Sequence, residues 1–71
     1  MTVGEKIKAY LVENGIKQTH LASKSGLYDS TLSDILNKGR RIEVTEYWKI
    51  CKALGVPMTT FLPDDTESEA V

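Results

Sequence analysis

Hydrophobic residues recur along the chain at helical spacing, and no stretch alternates apolar and polar residues for long enough to predict a strand. Ile7, Tyr10 and Leu11 define the apolar face of a first helix over residues 3–13. Residues 2–5 begin with Thr and end with Glu, which is the spacing of a capping box at a helix start. The pattern therefore predicts a first helix with its own start signal.

Three further helices are predicted beyond a stop signal at Gly15. The second covers residues 17–25 and ends at Gly26, and the third covers residues 28–37. A basic connection at residues 38–41 leads to the fourth helix. The apolar stripe of that helix, which stops before Gly55, consists of Val44, Tyr47, Ile50, Cys51 and Leu54.

The C-terminal part of the chain predicts a short fifth helix followed by an acidic tail. Pro57 suits a helix start, and Pro63 closes the segment. Residues 64–71 have too little apolar content to pack and are expected to be disordered. We therefore expect an all-α fold, a compact bundle of five short helices in one domain over residues 1–63. The apolar residues of the fifth helix are Met58, Phe61 and Leu62.

Composition limits the kinds of protein that this chain can be. Seventy-one residues with 41% hydrophobic and 27% charged side chains fit one small globular domain. The single cysteine provides neither a disulfide framework nor a metal cage, and we expect no metal and no cofactor. No apolar run approaches the roughly 18 residues that span a bilayer, and the N-terminus lacks the apolar stretch of a signal peptide. The expected compartment is the cytoplasm, with no membrane partner.

The net charge of −1 conceals an uneven distribution. Four of the ten acidic side chains lie in residues 64–71, which contain no Lys or Arg. Residues 1–63 carry nine basic and six acidic side chains, which gives +3 for the body and −4 for the tail. The body is therefore mildly basic, as a nucleic-acid partner would require.

Residues 18–37 have the features of two helices that cross through a tight turn. Such a pair needs a small residue where the helices touch, and Ala22 fits that need. It also needs a residue that tolerates positive φ in the turn, and Gly26 fits that need. The side chains that would hold both helices on the bundle are Leu21, Leu27, Leu32 and Ile35. The residues left outward on the third helix are Tyr28, Asp29, Ser30, Ser33 and Asp34.

With these features in order, residues 3–62 resemble a lambda-repressor-like helix-turn-helix domain of the Cro/cI (Xre) type. The resemblance includes the run at residues 48–56, which matches the end of the family's fourth helix. Its other elements are Gln18 at the start of the second helix, Leu21-Ala22, Gly26, Leu32 and Ile35. Each piece is weakly specific alone, and together they are specific.

The resemblance implies that the third helix lies in the major groove of double-stranded DNA and that the second helix crosses the backbone. By position, the residues that would face the bases are Tyr28, Asp29, Ser30, Ser33 and Asp34. Gln18 matches a glutamine that commonly contacts phosphate in the family. Further candidates for backbone contacts through hydroxyl, amide or cationic groups are Thr19, Thr31, Asn37, Lys38, Arg40 and Arg41.

Two features depart from the family pattern. The DNA-facing side carries two carboxylates, Asp29 and Asp34, and no Arg or Gln that would bond bidentately to a purine. An Asp either accepts a hydrogen bond from cytosine N4 or repels phosphate and rejects mismatched sites. Tyr28 also stands where the family often has a Ser or Thr helix cap. Asp29 either takes over that capping role or reads bases.

Several other side chains have both a packing and a functional interpretation. His20 is expected to be exposed, with a phosphate contact as the alternative. Cys51 lies on an apolar stripe and is expected to be a buried thiol without chemistry. Trp48 lies at the edge of the same stripe, where it is either core rim or a dimer contact. The candidates for a dimer interface, with core closure as the alternative for the C-terminal ones, are Trp48, Met58, Phe61 and Leu62.

Catalysis is not expected, because no nucleophile and base share a plausible site and a bundle this small lacks an ordinary pocket. We expect a DNA-binding transcriptional regulator, a nucleoid-associated repressor of bacterial or phage origin that binds a palindromic operator as a homodimer. The alternative is a protein-binding adaptor or antitoxin that binds a small protein through the surface of Trp48 and Phe61. The two Asp residues on the third helix favour that alternative.

Overall fold

The computed structural model describes residues 2–62, and within this range the chain forms four α-helices and no strand. The all-α prediction is confirmed for the described residues. The observed bounds of the first three helices differ by at most one residue from the predicted ones, and the fourth helix covers the predicted apolar stripe. The helices are α1 (Val3–Glu13), α2 (Gln18–Ser25), α3 (Asp29–Asn37) and α4 (Val44–Leu54). The predicted disorder of residues 64–71 and the closing role of Pro63 lie outside the described residues.

The predicted capping box starts α1. The Glu5 N–H donates to Thr2 Oγ1 over 3.1 Å, and the Thr2 N–H donates to Glu5 Oε1 over 2.8 Å. A second capping box, which the sequence analysis missed, starts α4 and joins Glu43 to Glu46. Here a Glu replaces the usual Ser or Thr, so the standard pattern does not detect it.

The prediction of a fifth helix is wrong, because residues 58–61 form turns. The Thr60 N–H donates to the carbonyl of Pro57 over 3.1 Å, a three-residue spacing that builds a turn. A segment between two prolines is too short to repeat the four-residue hydrogen bonds of a helix. The Tyr47 side chain instead holds the segment: its hydroxyl donates to the Met58 carbonyl and accepts from the Phe61 N–H over 3.3 Å.

The core lies where the four helices and the C-terminal turn meet. α2 packs against both α3 and α4, and α1 packs against α3. Phe61 is only 3% exposed and meets the rings of Tyr10 and Tyr47 edge-on, with centroids 5.4 and 6.5 Å away. The other buried apolar residues are Ile7, Leu11, Leu21, Ala22, Leu32, Ile35, Leu36, Ile50 and Cys51.

Val44 does not belong to this core, contrary to the stripe predicted for the fourth helix. Its side chain is 78% exposed. Helical spacing aligns Val44 with Tyr47 and Cys51, but it is the first residue of α4, and no element within residues 2–62 covers that turn. It lies instead on the rim of a shallow apolar groove beside Ile42 and Leu62.

A close backbone approach fixes α1 on the C-terminal part of α3. Gly4 is buried, and a Cβ placed on it would overlap the carbonyl oxygen of Ile35 and lie 3.3 Å from its carbonyl carbon. Only glycine leaves space for this contact. The orientation of α3 in the bundle therefore depends on a glycine at the start of the chain.

Candidate nucleic-acid interface

The turn between α2 and α3 has the geometry that the sequence predicted. Gly26 ends α2 in the left-handed conformation with φ of +77°. The Leu27 N–H then donates to the Ala22 carbonyl over 3.1 Å, which closes the turn. Ala22 is buried between the helices, and Ser25, which sequence reasoning missed, is also buried and donates to the same carbonyl over 3.2 Å. The turn therefore holds α3 at a fixed angle to α2.

The start of α3 presents exposed polar side chains that have no hydrogen-bond partner within residues 2–62. Tyr28 is 82% exposed, and Asp29 and Ser30 are exposed beside it. None of these three side chains hydrogen-bonds to another residue of the range 2–62. Ser33 and Asp34, one turn later, are half-buried. The predicted base-facing residues therefore share one end and one side of α3.

The N-cap position of α3 is occupied by Tyr28, which makes no side-chain capping bond. Asp29 is the first helical residue, and among the described residues its carboxylate accepts no hydrogen bond from the backbone. Its charge lies near the positive end of the helix dipole, where a carboxylate is stabilising. This geometry leaves both carboxylate oxygens of Asp29 available to an external donor.

Two predicted phosphate contacts come together at the other end of the helix pair. Asn37, the last residue of α3, donates through Nδ2 to Oε1 of Gln18, the first residue of α2, over 3.3 Å. Because this bond uses the amide oxygen of Gln18, its Nε2 hydrogens remain as donors. Donor hydrogens of this kind suit an anionic partner.

Two of the predicted cationic contacts are engaged in ion pairs within the domain. Lys38 Nζ lies 3.6 Å from Asp34 one turn earlier, and both side chains remain substantially exposed. Arg40 Nη1 donates to Oε1 and Oε2 of Glu46 over 3.0 and 3.2 Å. The second pair was not predicted, since it joins a loop to α4 across six positions.

Glu46 joins the loop after α3 to the start of α4. Its Oε1 accepts from the Glu43 N–H over 3.0 Å as well as from Arg40. Burial alone would raise the pKa of Glu46, but the Glu43 N–H and the Arg40 guanidinium outweigh it and hold that pKa below its usual value. The Arg40 N–H also donates to the Asp34 carbonyl over 3.1 Å, so Arg40 fixes both ends of the loop.

The remaining phosphate candidates differ in their surroundings. Arg41 is exposed and has no hydrogen-bond or ion-pair partner within residues 2–62, so its cation is available. Thr19 is exposed on α2 beside Gln18, and Thr31 is half-buried on α3. Arg41 is therefore the cation of this loop that is free to meet an external anion.

The other chemically interesting side chains differ in their exposure. His20 is exposed, as predicted. Cys51 is a free, buried thiol, and burial raises its pKa as well as that of Tyr47. Trp48 is 48% exposed at the edge of α4. Within the described part of the chain, no group of three or more His, Cys, Asp or Glu side chains is placed to hold a metal ion.

The candidates for a dimer interface separate into exposed and buried residues. Met58 and Leu62 are exposed near the C-terminal turn, whereas Phe61 fills the core. Leu62 lines the shallow groove with Val44, which sequence reasoning had assigned to the core. The exposed apolar surface at this end of the domain therefore includes Val44, Met58 and Leu62, and excludes Phe61.

Comparison with known proteins agrees with this geometry. The helix-turn-helix family matches residues 7–61 of the 71-residue chain, which includes all four helices except the first turn of α1. A search of curated proteins found no significant match. No helix within residues 2–62 has the length and hydrophobicity needed to cross a bilayer. The chain belongs to the helix-turn-helix family of the Cro/cI type, whose members are DNA-binding regulators.

Proposed function

We propose that this protein is a sequence-specific transcriptional repressor that binds a palindromic DNA operator as a homodimer. The observation that carries the proposal is the exposed first turn of α3 behind the Gly26 turn. Its polar side chains have no partners within residues 2–62, although burial of α3's opposite face fixes the helix in place. A rigid helix with one uncommitted polar side suits the major groove, which admits an α-helix.

The side chains divide between two roles in this proposal. Base edges are read from α3, with the Asp29 carboxylate as an acceptor for cytosine N4 and Asp34 one turn further along. The other base-reading residues are Tyr28, Ser30 and Ser33. The phosphate backbone is bound by Gln18, Asn37 and Arg41, with supporting contacts from Thr19, Thr31 and Lys38. Arg40 acts through Glu46, as the residue that positions the loop bearing Arg41.

The charge of the domain favours binding as a dimer. The body charge of +3 is low for a DNA-binding domain. The ion pairs of Lys38 and Arg40 neutralise two of its cations locally. A second copy doubles the number of phosphate contacts and the positive charge on one DNA site. We therefore propose that local contacts at two half-sites, rather than a broad basic field, supply the affinity.

The proposed dimer surface is the apolar end formed by Val44, Met58 and Leu62. All three side chains are exposed, and Val44 and Leu62 line the same groove. Apolar side chains exposed together in a soluble domain are typical of interaction sites. A self-complementary contact between two such patches has the two-fold symmetry that a palindromic operator requires.

The direct test is a footprinting titration of the full chain on the DNA that flanks its own gene, with a scrambled duplex of equal length as the control. We expect saturable protection of two half-sites about one helical turn apart. Apparent affinity should fall steeply between about 50 and 200 mM salt. Absence of protection at about 50 mM salt would contradict the proposal.

A second candidate function is the binding of a protein partner through Trp48, whose large side chain is half exposed. Burial of Phe61 removes the other residue that this alternative relied on. A pull-down with the purified chain that returns a small protein encoded next to its gene, together with no retention of DNA, would favour this function over the first.

A further inference from the structure

A groove between the C-terminal half of α2 and the outer side of α4 concentrates positive charge around an exposed aromatic ring. It is lined by Lys24, Ser25, Trp48, Lys49, Lys52 and Ala53. The three lysines are exposed, and no carboxylate lines the groove. The groove is therefore a cationic site in which three lysines surround one tryptophan.

The Trp48 ring forms part of this cationic site. Lys52 Nζ lies 4.8 Å from the ring centroid, within the range of a cation–π interaction. That contact holds the Lys52 ammonium over the ring while leaving its remaining N–H donors exposed. The nearby acid Glu46 feels the charge of Lys49 but is already bound to Arg40. The site therefore suits an additional anionic group that this range of the chain does not supply.

The groove is distinct from the proposed DNA surface. Its lining comes from α2 and α4 alone, whereas the base-reading candidates lie on α3 and at its N-cap. Lys24 belongs to the last turn of α2, whereas Gln18 is the first residue of that helix. An occupant of this groove therefore does not have to occupy the exposed first turn of α3.

We infer that the acidic segment at residues 64–69 of the same chain docks in this groove. The segment reads Asp-Asp-Thr-Glu-Ser-Glu and carries four carboxylates with no cation, which complements the three lysines. Individual exposed ion pairs are weak, but a covalent tether supplies an effective concentration on the order of millimolar. The same segment on a separate molecule has no such advantage.

The connection is long enough for this contact. Leu62, the last described residue, lines a groove with Val44 at the start of α4. Val44, Trp48 and Lys52 follow one another at four-residue spacing on one side of that helix, over about 12 Å of its axis. The seven residues from Leu62 to Glu69 span up to about 23 Å when extended. An extended segment of this length is therefore long enough to reach the lysines.

Trp48 reports on the groove directly, because it is the only tryptophan in the chain. The experiment compares the full chain with an equally long variant in which Asp64→Asn, Asp65→Asn, Glu67→Gln and Glu69→Gln remove the four charges. The readouts are the Trp48 indole N–H resonance and the quenching of its fluorescence by iodide. We expect a shifted resonance and weaker quenching in the native chain at about 20 mM salt, because docked carboxylates repel iodide. Both differences should disappear at about 0.5 M salt.

Lysine variants identify the docking site. Lys24→Gln and Lys52→Gln should each reduce the difference in the Trp48 signals between the chain with the acidic segment and the chain with the neutral segment. Lys8→Gln, which removes an exposed lysine on α1 outside the groove, should leave that difference intact. Both segments are compared in chains that carry the same lysine substitution. Any direct effect of Lys52 on the Trp48 ring is then the same in both chains and does not contribute to the difference.

Two outcomes would overturn the inference. If the acidic and neutral segments give the same Trp48 signals at low salt, the groove does not bind residues 64–69. If the difference in Trp48 signals between the acidic and neutral segments grows with protein concentration, the segment binds a second copy and not its own chain. Neither outcome depends on DNA, so the inference fails or stands independently of the proposed function.

Discussion

Arg40 Nη1 lies 3.0 Å from Oε1 and 3.2 Å from Oε2 of Glu46, and this pair connects the loop after α3 to the first turn of α4. The sequence predicts Arg40 and Arg41, which are adjacent, as equivalent phosphate contacts. The structure separates them, because only Arg41 lacks a partner within residues 2–62. We therefore expect the removal of Arg40 and the removal of Arg41 to have different effects.

Arg40→Ala should lower the free energy of unfolding by about 0.5–1 kcal/mol, since the pair is partly exposed. Arg41→Ala should change that free energy by less than about 0.5 kcal/mol. On DNA, Arg41→Ala should weaken binding to all sequences alike and reduce the salt slope by about 1. Urea denaturation and salt-dependent binding titrations measure the two effects. Equal effects of both substitutions on stability would contradict the distinction.

The acid sensitivity of the fold should depend on Glu46. Its pKa is lowered in the folded chain, so the ionised carboxylate stabilises the fold at pH values above its unfolded pKa. This contribution is lost as the pH falls through the folded pKa, at values below about 4.5. Glu46→Gln should therefore flatten the acid side of a stability–pH curve. Glu13→Gln, at an exposed position without a partner among the described residues, should leave that curve unchanged.

Tyr47 should stabilise the C-terminal turn through its hydroxyl. Tyr47→Phe removes the donor to Met58 and the acceptor for the buried Phe61 N–H, and should cost about 1–2 kcal/mol. Tyr28→Phe is the matched control, because the Tyr28 ring is exposed and its hydroxyl has no partner in residues 2–62. Thermal and urea unfolding of both variants provide the comparison. An equally small loss for both would show that the hydroxyl of Tyr47 is not needed.

Gly4 should be intolerant of even one methyl group. Helix propensity alone favours alanine there by about 0.5–1 kcal/mol. The close approach to the Ile35 carbonyl reverses this, so Gly4→Ala should destabilise the fold by about 1–3 kcal/mol. Gly4→Val should cost more than Gly4→Ala in the same unfolding experiment. Stabilisation by Gly4→Ala would show that α1 and α3 separate at little cost.

Asp34 should influence which operator the protein prefers. Asp34→Ala removes a carboxylate from the side of α3 that is proposed to face the bases, and it frees Lys38 from its ion pair. We expect tighter binding overall, because Lys38 becomes available to phosphate, together with a changed preference at one base position of each half-site. Selection of binding sites from a randomised half-site library measures both effects. An unchanged preference would show that Asp34 does not read bases.

The parts of the fold that depend on neighbouring residues were predictable. The capping box of residues 2–5 and the left-handed Gly26 are encoded within a few positions, so the sequence alone places the first helix and the turn. The same holds for the buried stripe of α3, because its burial follows a strict helical period. The side of α3 that is proposed to face the bases lies opposite that stripe.

The errors arise where distant parts of the chain meet. The Tyr47 hydroxyl binds a segment eleven to fourteen positions later and holds it as a turn, so local helix signals at Pro57 were misleading. Arg40 meets Glu46 across a loop, and no short spacing rule predicts that pair. Val44 fits the period of α4 but lies beyond the elements that would bury it. Such contacts depend on how the helices are arranged.

The hydrogen bond between Asn37 and Gln18 has a thermodynamic consequence for the phosphate contact proposed for them. Two amide side chains on a solvent-facing edge normally sample several rotamers. Binding that fixes them costs about 0.5–1.5 kcal/mol per side chain, because each side chain loses conformational entropy. Here the fold restricts both side chains before any ligand arrives. In the proposed contact with phosphate, part of the entropic penalty is therefore incurred during folding, and a smaller part opposes association.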